Sequence, residues 1–289
     1  MAHHLRYEPP LAFEPLLSFL GDRAIPGVEA FDGRTFRRSV RTPTGRIALI
    51  ELTPDPAHGR VTLDASSDDP SDLHELIHAA RRLFDLDTDP APIDGLLARD
   101  PSLRPWVRSA PGLRLPGAID GFELAVRAVL GQQVSVRAAR TFAGRIAMAA
   151  GTTMPAETAV DGVTHVFPTA GQLSVTPLDT IGLTTRRRAT LRRLAELVAG
   201  GGLDLSGNAD RDTTRDALLS IPGVGPWTAS YVAMRALRDP DAFPASDLGI
   251  KVGFEALGLP TSGGAIERRA DRWRPWRGYA VMHVWRSLG

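Results

Sequence analysis

The stretch Leu218-Leu219-Ser220-Ile221-Pro222-Gly223-Val224-Gly225-Pro226-Trp227-Thr228-Ala229 decides how this chain reads. It is apolar, then turn-forming, then apolar again. Ala217 to Leu219 close one short helix. Pro222, Gly223 and Gly225 forbid its continuation and allow a tight hairpin with positive φ. Pro226 suits the first turn of a new helix, where its missing N–H is not needed. Apolar residues then resume at helical spacing, at Ala229, Val232, Ala233 and Leu237. Such a hairpin leaves the backbone N–H groups of Gly223, Gly225 and Thr228 without helical partners at a positive dipole end. That end can bind an anion, a phosphate diester included, without any lysine. A plain corner between two helices is the alternative. The fixed order of apolar residue, Pro-Gly-x-Gly and Thr-Ala favours the anion site.

Composition limits the remaining choices. At 289 residues the chain holds a sizeable core and two or three subdomains. Its hydrophobic share, 43%, is that of an ordinary globular protein, and no apolar run is long enough to span a membrane. The absence of cysteine excludes disulfides, iron–sulfur clusters and thiolate zinc sites, and fits a reducing cytoplasm. Net charge is +1, so charge alone does not mark a nucleic-acid binder. Lys251 is the one lysine among 34 basic residues, so side-chain Schiff-base chemistry has a single candidate.

Upstream of the hairpin the chain divides in two. Residues 1–95 read as a small α+β domain. It has an apolar helix around Leu16, Leu17, Phe19 and Leu20, strands at Thr35–Val40, Arg46–Leu52 and Arg60–Ala65, and a helix starting at Pro70-Ser71. Ala2-His3-His4 receives no role. From Leu96 the sequence reads almost wholly helical. Asp120 and Ser135 are placed to cap helices, Leu178 to Leu183 mark another helix and its stop, and Thr185 to Val198 is amphipathic. The arginines of that last helix (Arg186, Arg187, Arg188, Arg192 and Arg193) form either a solvated face or a phosphate-facing patch. His74-Glu75-Leu76-Ile77-His78 matches the zinc metalloprotease pattern literally. It lacks a third ligand nearby, and a solvated helix face is the better account.

Two features follow the hairpin. A loop with two prolines, Asp239 to Ser246, delivers Asp247 to the start of a new helix. Asp247 can serve there as an N-cap, or as a carboxylate held beside a phosphate site. Four of the five tryptophans (Trp227, Trp273, Trp276 and Trp285) fall in or after the hairpin unit. Rings near a phosphate anchor suit stacking on an extruded base, though each alone can equally be core.

The hairpin, the Asp247 loop and the run Arg272-Trp273-Arg274-Pro275-Trp276-Arg277-Gly278-Tyr279 together resemble bacterial DNA-3-methyladenine glycosylase II, a helix-hairpin-helix DNA glycosylase family. The likeness extends through Pro9-Pro10, Arg82 to Leu86, Pro111 to Gly117 and Leu130-Gly131-Gln132. It implies an α+β fold of three parts: the amino-terminal domain, a helical subdomain of residues 96–120 and 240–289, and a helical subdomain of residues 121–239 carrying the hairpin. The implied activity is excision of alkylated purines from double-stranded DNA by a cytoplasmic, nucleoid-associated monomer. By position, Asp247 becomes the catalytic carboxylate, and Trp285, Tyr231, Trp227 and Phe19 line the base pocket. The carbonyls of Leu219, Ile221 and Val224 hold a monovalent cation, Na+ or K+, and neither zinc nor an iron–sulfur cluster is needed. Gly223, Gly225, Thr228 and Gln133 contact DNA. Three residues depart from the pattern: Gln133 replaces an apolar wedge, Gly249 a larger pocket residue, and Arg286 an aromatic. Related glycosylase/lyases carry a lysine where Trp227 stands, so a monofunctional enzyme is expected. A bifunctional lyase and a non-catalytic lesion-binding module are the alternatives.

Overall fold

In the computed structural model, which describes residues 2–67, 69–160 and 162–288, the amino-terminal strands form one antiparallel sheet. The strands are β1 (Ala2–Arg6), β2 (Glu29–Phe31), β3 (Phe36–Arg41), β4 (Ile47–Asp55) and β5 (Arg60–Ala65), in the order β1-β5-β4-β3-β2. Alternation along Val61 and Leu63 turns one face inward, and the register pairs Leu63 with Leu52 and Leu52 with Phe36. Two helices cover that face: α1 (Phe13–Asp22), through Leu16, Leu17 and Leu20, and α2 (Pro70–Phe84), through Leu76, Ala80 and Leu83. Asp69 caps α2 by accepting from Ser71 N. The edge strand β1 contains Ala2, His3 and His4, which were expected to have no role; they pair with Asp64, Leu63 and Thr62.

The helices continue as α3 (Ala91–Leu97), α4 (Arg104–Ser109), α5 (Gly121–Gly131) and α6 (Val136–Ala150), then α7 (Ala170–Val175) and α8 (Thr185–Ala199). They close with α9 (Arg211–Leu219), α10 (Pro226–Arg235), α11 (Leu248–Ala256), α12 (Gly263–Ala270) and α13 (Arg277–Arg286). Asp120 caps α5 through Phe122 N at 2.7 Å, and Ser135 caps α6 through Ala138 N at 3.2 Å. The helix expected around Leu178–Leu183 is instead a short 3-10 turn ending at left-handed Gly182. The helix lies earlier, as α7, where Thr169 and Gln172 form a reciprocal cap. A two-stranded ribbon, β6 (Thr152–Thr153) with β7 (His165–Val166), interrupts the helical region.

Two large cores result. One joins the sheet, α1 and α2 to α11 and α13; the other surrounds α5, which is apolar on nearly all sides. A polar seam ties them. Arg38 of β3, only 4% exposed, donates to Glu29 at 2.8 Å and to Glu123 at 2.7 Å, and Arg127 donates to both carboxylates at 3.1 Å. Burial alone would raise the Glu123 carboxyl, but the two guanidiniums outweigh it and hold the group below its usual range. Among the described residues no helix is long and apolar enough to cross a membrane.

Candidate active site

The hairpin forms as its sequence requires. α9 ends at Leu219, Val224 N closes the turn on Ile221 O at 2.9 Å, and α10 opens with Pro226. Only Gly223 adopts a positive φ, +95°; a side chain there would also meet Thr190 Oγ1 at 2.2 Å. Gly225 corrects the expectation of positive φ at both glycines. Its backbone is extended, with φ −114°, and a Cβ would meet nothing within 4 Å. The fold itself therefore makes no demand for glycine at 225. The N–H groups of Gly223, Gly225 and Thr228 donate to no acceptor among the described residues. On the other side of the turn, the carbonyls of Leu219 and Val224 accept no hydrogen bond there, and that of Ile221 accepts only Val224 N.

Gln132, at the end of α5, holds this turn from outside. Its Nε2 donates to Gly223 O at 2.9 Å and to Thr228 Oγ1 at 2.8 Å, while Arg187 of α8 donates to the Gln132 carbonyl at 2.5 Å. Thr190 Oγ1 donates to Pro222 O at 2.8 Å. Gln133 follows in the left-handed conformation, φ 55°, with its side chain exposed beside the hairpin. The arginine cluster of α8 divides: Arg188 pairs with Asp179, Arg192 donates to Ser174 O and Thr176 O, and Arg186 and Arg193 remain exposed. The sequence marks Arg187 as one of an arginine cluster and Gln132 within the family likeness; their support of the turn depends on helices meeting.

Asp247 is both an N-cap and the centre of an aromatic cluster. Its Oδ1 accepts from Ile250 N at 2.9 Å, which starts α11, and also from Trp285 Nε1 at 2.9 Å. Its Oδ2 accepts from Trp227 Nε1 at 2.7 Å. Trp227 comes from the first turn of α10, so the hairpin and the acidic loop meet through one indole. Trp227 stacks on Tyr231 at 5.5 Å and 15°, Tyr231 lies 6.3 Å from Trp285, and Trp285 stacks on Phe19 of α1 at 6.0 Å and 11°. The five residues singled out in the sequence thus converge from four helices. Lys251 is exposed one turn along α11.

Guanidiniums back the cluster. Arg23 lies 3.9 Å over Phe19, and Arg235 lies 5.0 Å over Phe19 and donates to Tyr231 Oη at 3.0 Å. Burial would raise the Tyr231 phenol, but Arg235, Arg23 and Arg127 outweigh it and the net shift is downward. The terminal run mostly anchors the loop that carries Asp247. Arg274 and Arg277 both bind Asp241, and Gly278 N donates to Pro240 O at 2.8 Å. Trp273 is core, 1% exposed and donating to Asp100 at 2.7 Å. Arg286 turns away from the cluster and donates to Ser109 Oγ at 2.8 Å.

Two other features stand apart. A cavity of about 560 Å³ opens at the far, amino-terminal end of α5, between Arg41, Asp120, Phe167 and Leu205. The Nε2 atoms of His74 and His78 approach to 3.2 Å on the exposed face of α2, while Glu75 is engaged by Arg82 at 2.6 Å. Among the described residues no group of three His, Cys, Asp or Glu side chains could hold a metal, so the metalloprotease pattern has no completed ligand set.

Comparison with known proteins agrees with this geometry. Residues 2–120 match the model of the AlkA N-terminal domain. A Mycobacterium tuberculosis protein described as a probable bifunctional transcriptional activator/DNA repair enzyme AlkA is 43% identical over 279 residues. The match takes in 96% of this chain but 55% of that protein, so the chain spans about half the relative's length. Among solved structures, a 3-methyladenine DNA-glycosylase from Archaeoglobus fulgidus superposes with a TM-score of 0.79 at 20% identity, over 99% of this chain and 97% of that one. The DNA-3-methyladenine glycosylase 2 of Escherichia coli is 33% identical over 289 residues, covering 99% of this chain and 97% of that protein. An end-to-end match at that identity leaves one assignment: the chain belongs to the DNA-3-methyladenine glycosylase II family of helix-hairpin-helix proteins.

Proposed function

We propose that this chain is a monofunctional DNA N-glycosylase that excises alkylated purines, 3-methyladenine and 7-methylguanine among them, from double-stranded DNA and leaves an abasic site. The observation that carries the proposal is a carboxylate, Asp247, fixed on both oxygens by the indoles of Trp227 and Trp285 within an aromatic cluster that abuts the hairpin. Indole is a donor only, so these bonds direct the carboxylate without neutralising it.

The chemistry follows from the residues. An N3- or N7-alkylated purine is cationic and leaves readily, so no strong general acid is required. As the N-glycosidic bond breaks, positive charge develops on the sugar. A preorganised carboxylate stabilises it electrostatically, an effect that in comparable sites is worth about 10²–10³ in rate. Asp247 also orients the attacking water and takes its proton. The extruded base stacks among Trp227, Tyr231, Trp285 and Phe19. The free N–H groups at Gly223, Gly225 and Thr228 take a backbone phosphate, and the open space beside Gly225 lets it approach. Gln133 enters the gap that the extruded nucleotide leaves.

The carbonyls of Leu219, Ile221 and Val224 suit a Na+ or K+ ion, since they are neutral oxygens and two of them have no other partner. Such an ion would supply positive charge between hairpin and phosphate. We assign residues 96–120 with 240–289 and residues 121–239 to the two helical walls of the DNA cleft, and take the monomer as the working form.

Base release from methylated duplex DNA, with the excised bases identified, tests the function. Asp247→Asn should slow release by ~10²-fold or more and keep DNA binding. Unchanged release would refute the assignment, and borohydride trapping of a covalent DNA complex would replace it with a lyase.

A further inference from the structure

Gly249 lies in the first turn of α11, two residues past Asp247, where its backbone has no positive φ and does not call for glycine. Its surroundings do. A Cβ at this position would stand 3.1 Å from Cδ1 and 3.1 Å from Nε1 of Trp285, and 3.0 Å from Asp247 Oδ1. Carbon–carbon contacts settle at about 3.5–4.0 Å. Even one methyl therefore drives the indole edge back by a few tenths of an ångström. That edge carries the N–H that reaches Asp247 Oδ1 at 2.9 Å. Such a retreat takes the bond past the ~3.2 Å limit of ordinary N–H···O hydrogen bonds. The face of the same indole also stacks on Phe19, with ring centroids 6.0 Å apart.

We propose that Gly249 is a positioning residue: its missing side chain admits the Trp285 indole to Asp247, and the indole N–H then fixes the orientation of the carboxylate. Trp285 thus acts twice, as a stacking ring and as one of two clamps on Asp247, with Trp227 as the other. Without the Trp285 clamp, Oδ1 keeps only its cap bond from Ile250 N, and the carboxylate plane is set by Trp227 alone. The inference rests on Asp247 being the catalytic carboxylate.

The test is a double-mutant cycle of Gly249→Ala and Trp285→Phe, read in two ways. The first is the single-turnover rate of base release from methylated duplex DNA, with DNA affinity measured alongside. The second is the indole N–H resonance of Trp285 in the free protein, identified as the signal that Trp285→Phe removes. In the wild-type background, Gly249→Ala should slow release by ~10-fold, about the worth of one hydrogen bond, with DNA affinity unchanged and the indole proton moved upfield. In the Trp285→Phe background, Ala at 249 should slow release clearly less than in wild type, because the indole bond is already gone and only its contact with Asp247 Oδ1 remains. Equal slowing in both backgrounds, or an unmoved indole resonance, overturns the proposal. If the wild-type protein releases no base, the proposed function fails on its own, and the resonance decides whether Gly249 governs the indole contact.

Discussion

Asp247→Asn separates the proposed catalytic use of this carboxylate from its structural use, because the side chain receives three donors. Ile250 N and Trp285 Nε1 both point at Oδ1, and Trp227 Nε1 points at Oδ2. The amide keeps the most bonds with its oxygen toward Ile250 and Trp285. The helix cap then survives at almost no loss, since Asn and Asp cap equally well. The NH2 group is left facing the Trp227 N–H across a site only 2.7 Å wide, donor against donor. A stranded donor costs about 1–3 kcal/mol, and a lost charge-assisted bond lies in the same range. Folding stability should fall by roughly that amount, read from the denaturant midpoint. Phe at 227 removes the opposing donor, so Trp227→Phe/Asp247→Asn should recover most of the loss relative to Asp247→Asn. Base release should drop far more, by ~10²-fold or beyond, which is about 2.7 kcal/mol or more of transition-state stabilisation. Trp227→Phe would not restore it, because the charge remains absent. Asp247→Asn with wild-type release would refute the catalytic role, and a double variant less stable than Asp247→Asn would refute the donor arrangement.

The two hairpin glycines should respond differently. Gly223→Ala should lower stability by more than about 1 kcal/mol, from its φ of +95° and the collision with Thr190, whereas Gly225→Ala should melt like wild type and lose affinity for duplex DNA in an anisotropy titration. Burial, and then the charge of Arg286, pull His283 down to about 4, and neither ring nitrogen has a partner among the described residues. An unfolded imidazole takes up its proton near pH 6.5, so this site adds no pH dependence above 6.5. Stability should then fall as pH drops from 6.5 toward 4, by up to about 3 kcal/mol, and His283→Leu should flatten that slope in denaturation curves. Arg38→Met should cost about 3–5 kcal/mol at pH 7, because it leaves the Glu29 and Glu123 carboxylates buried with Arg127 as their only cation; an unchanged midpoint would show that water reaches the seam.

Local patterns were legible in the sequence, and long-range meetings were not. Pro-Gly-x-Gly-Pro encodes the hairpin because turn geometry depends on neighbouring residues alone. Asp120 and Ser135 were readable as caps for the same reason. The strands β3 to β5 announced themselves by alternation and by the turns between them. β1 did not, because Ala2-His3-His4 has no apolar alternation and is a strand only through its pairing with β5. The Leu178–Leu183 segment misled because its apolar spacing also fits a 3-10 turn packed on α6, and Thr169 with Gln172 gave the better start signal. Gln132 was visible within the Leu130-Gly131-Gln132 likeness, with no role of its own. Its two bonds into the hairpin span more than ninety residues, and no window along the chain contains both ends.

The two accounts of Asp247 that the sequence left open turn out not to compete. A cap uses one lone pair of one oxygen, from Ile250 N, and leaves the rest of the carboxylate unassigned. In an ordinary cap that remainder faces water. Here two indoles from different helices take two of the three remaining sites, leaving one open, and each also presents a ring to the same cluster. The cap supplies the fixed point about which the indoles orient the group, so the structural role is a condition of the proposed catalytic one. For the same reason Trp227 at the hairpin does more than replace a nucleophilic lysine. A lysine there could pair with Asp247, but it could not also stack on Tyr231 and extend the aromatic wall. With Trp227 in that place, the nearest lysine is Lys251 on the exposed side of α11. The proposed single-step hydrolysis rests on what the hairpin presents: an N–H donor for the Asp247 carboxylate and a ring in the aromatic cluster.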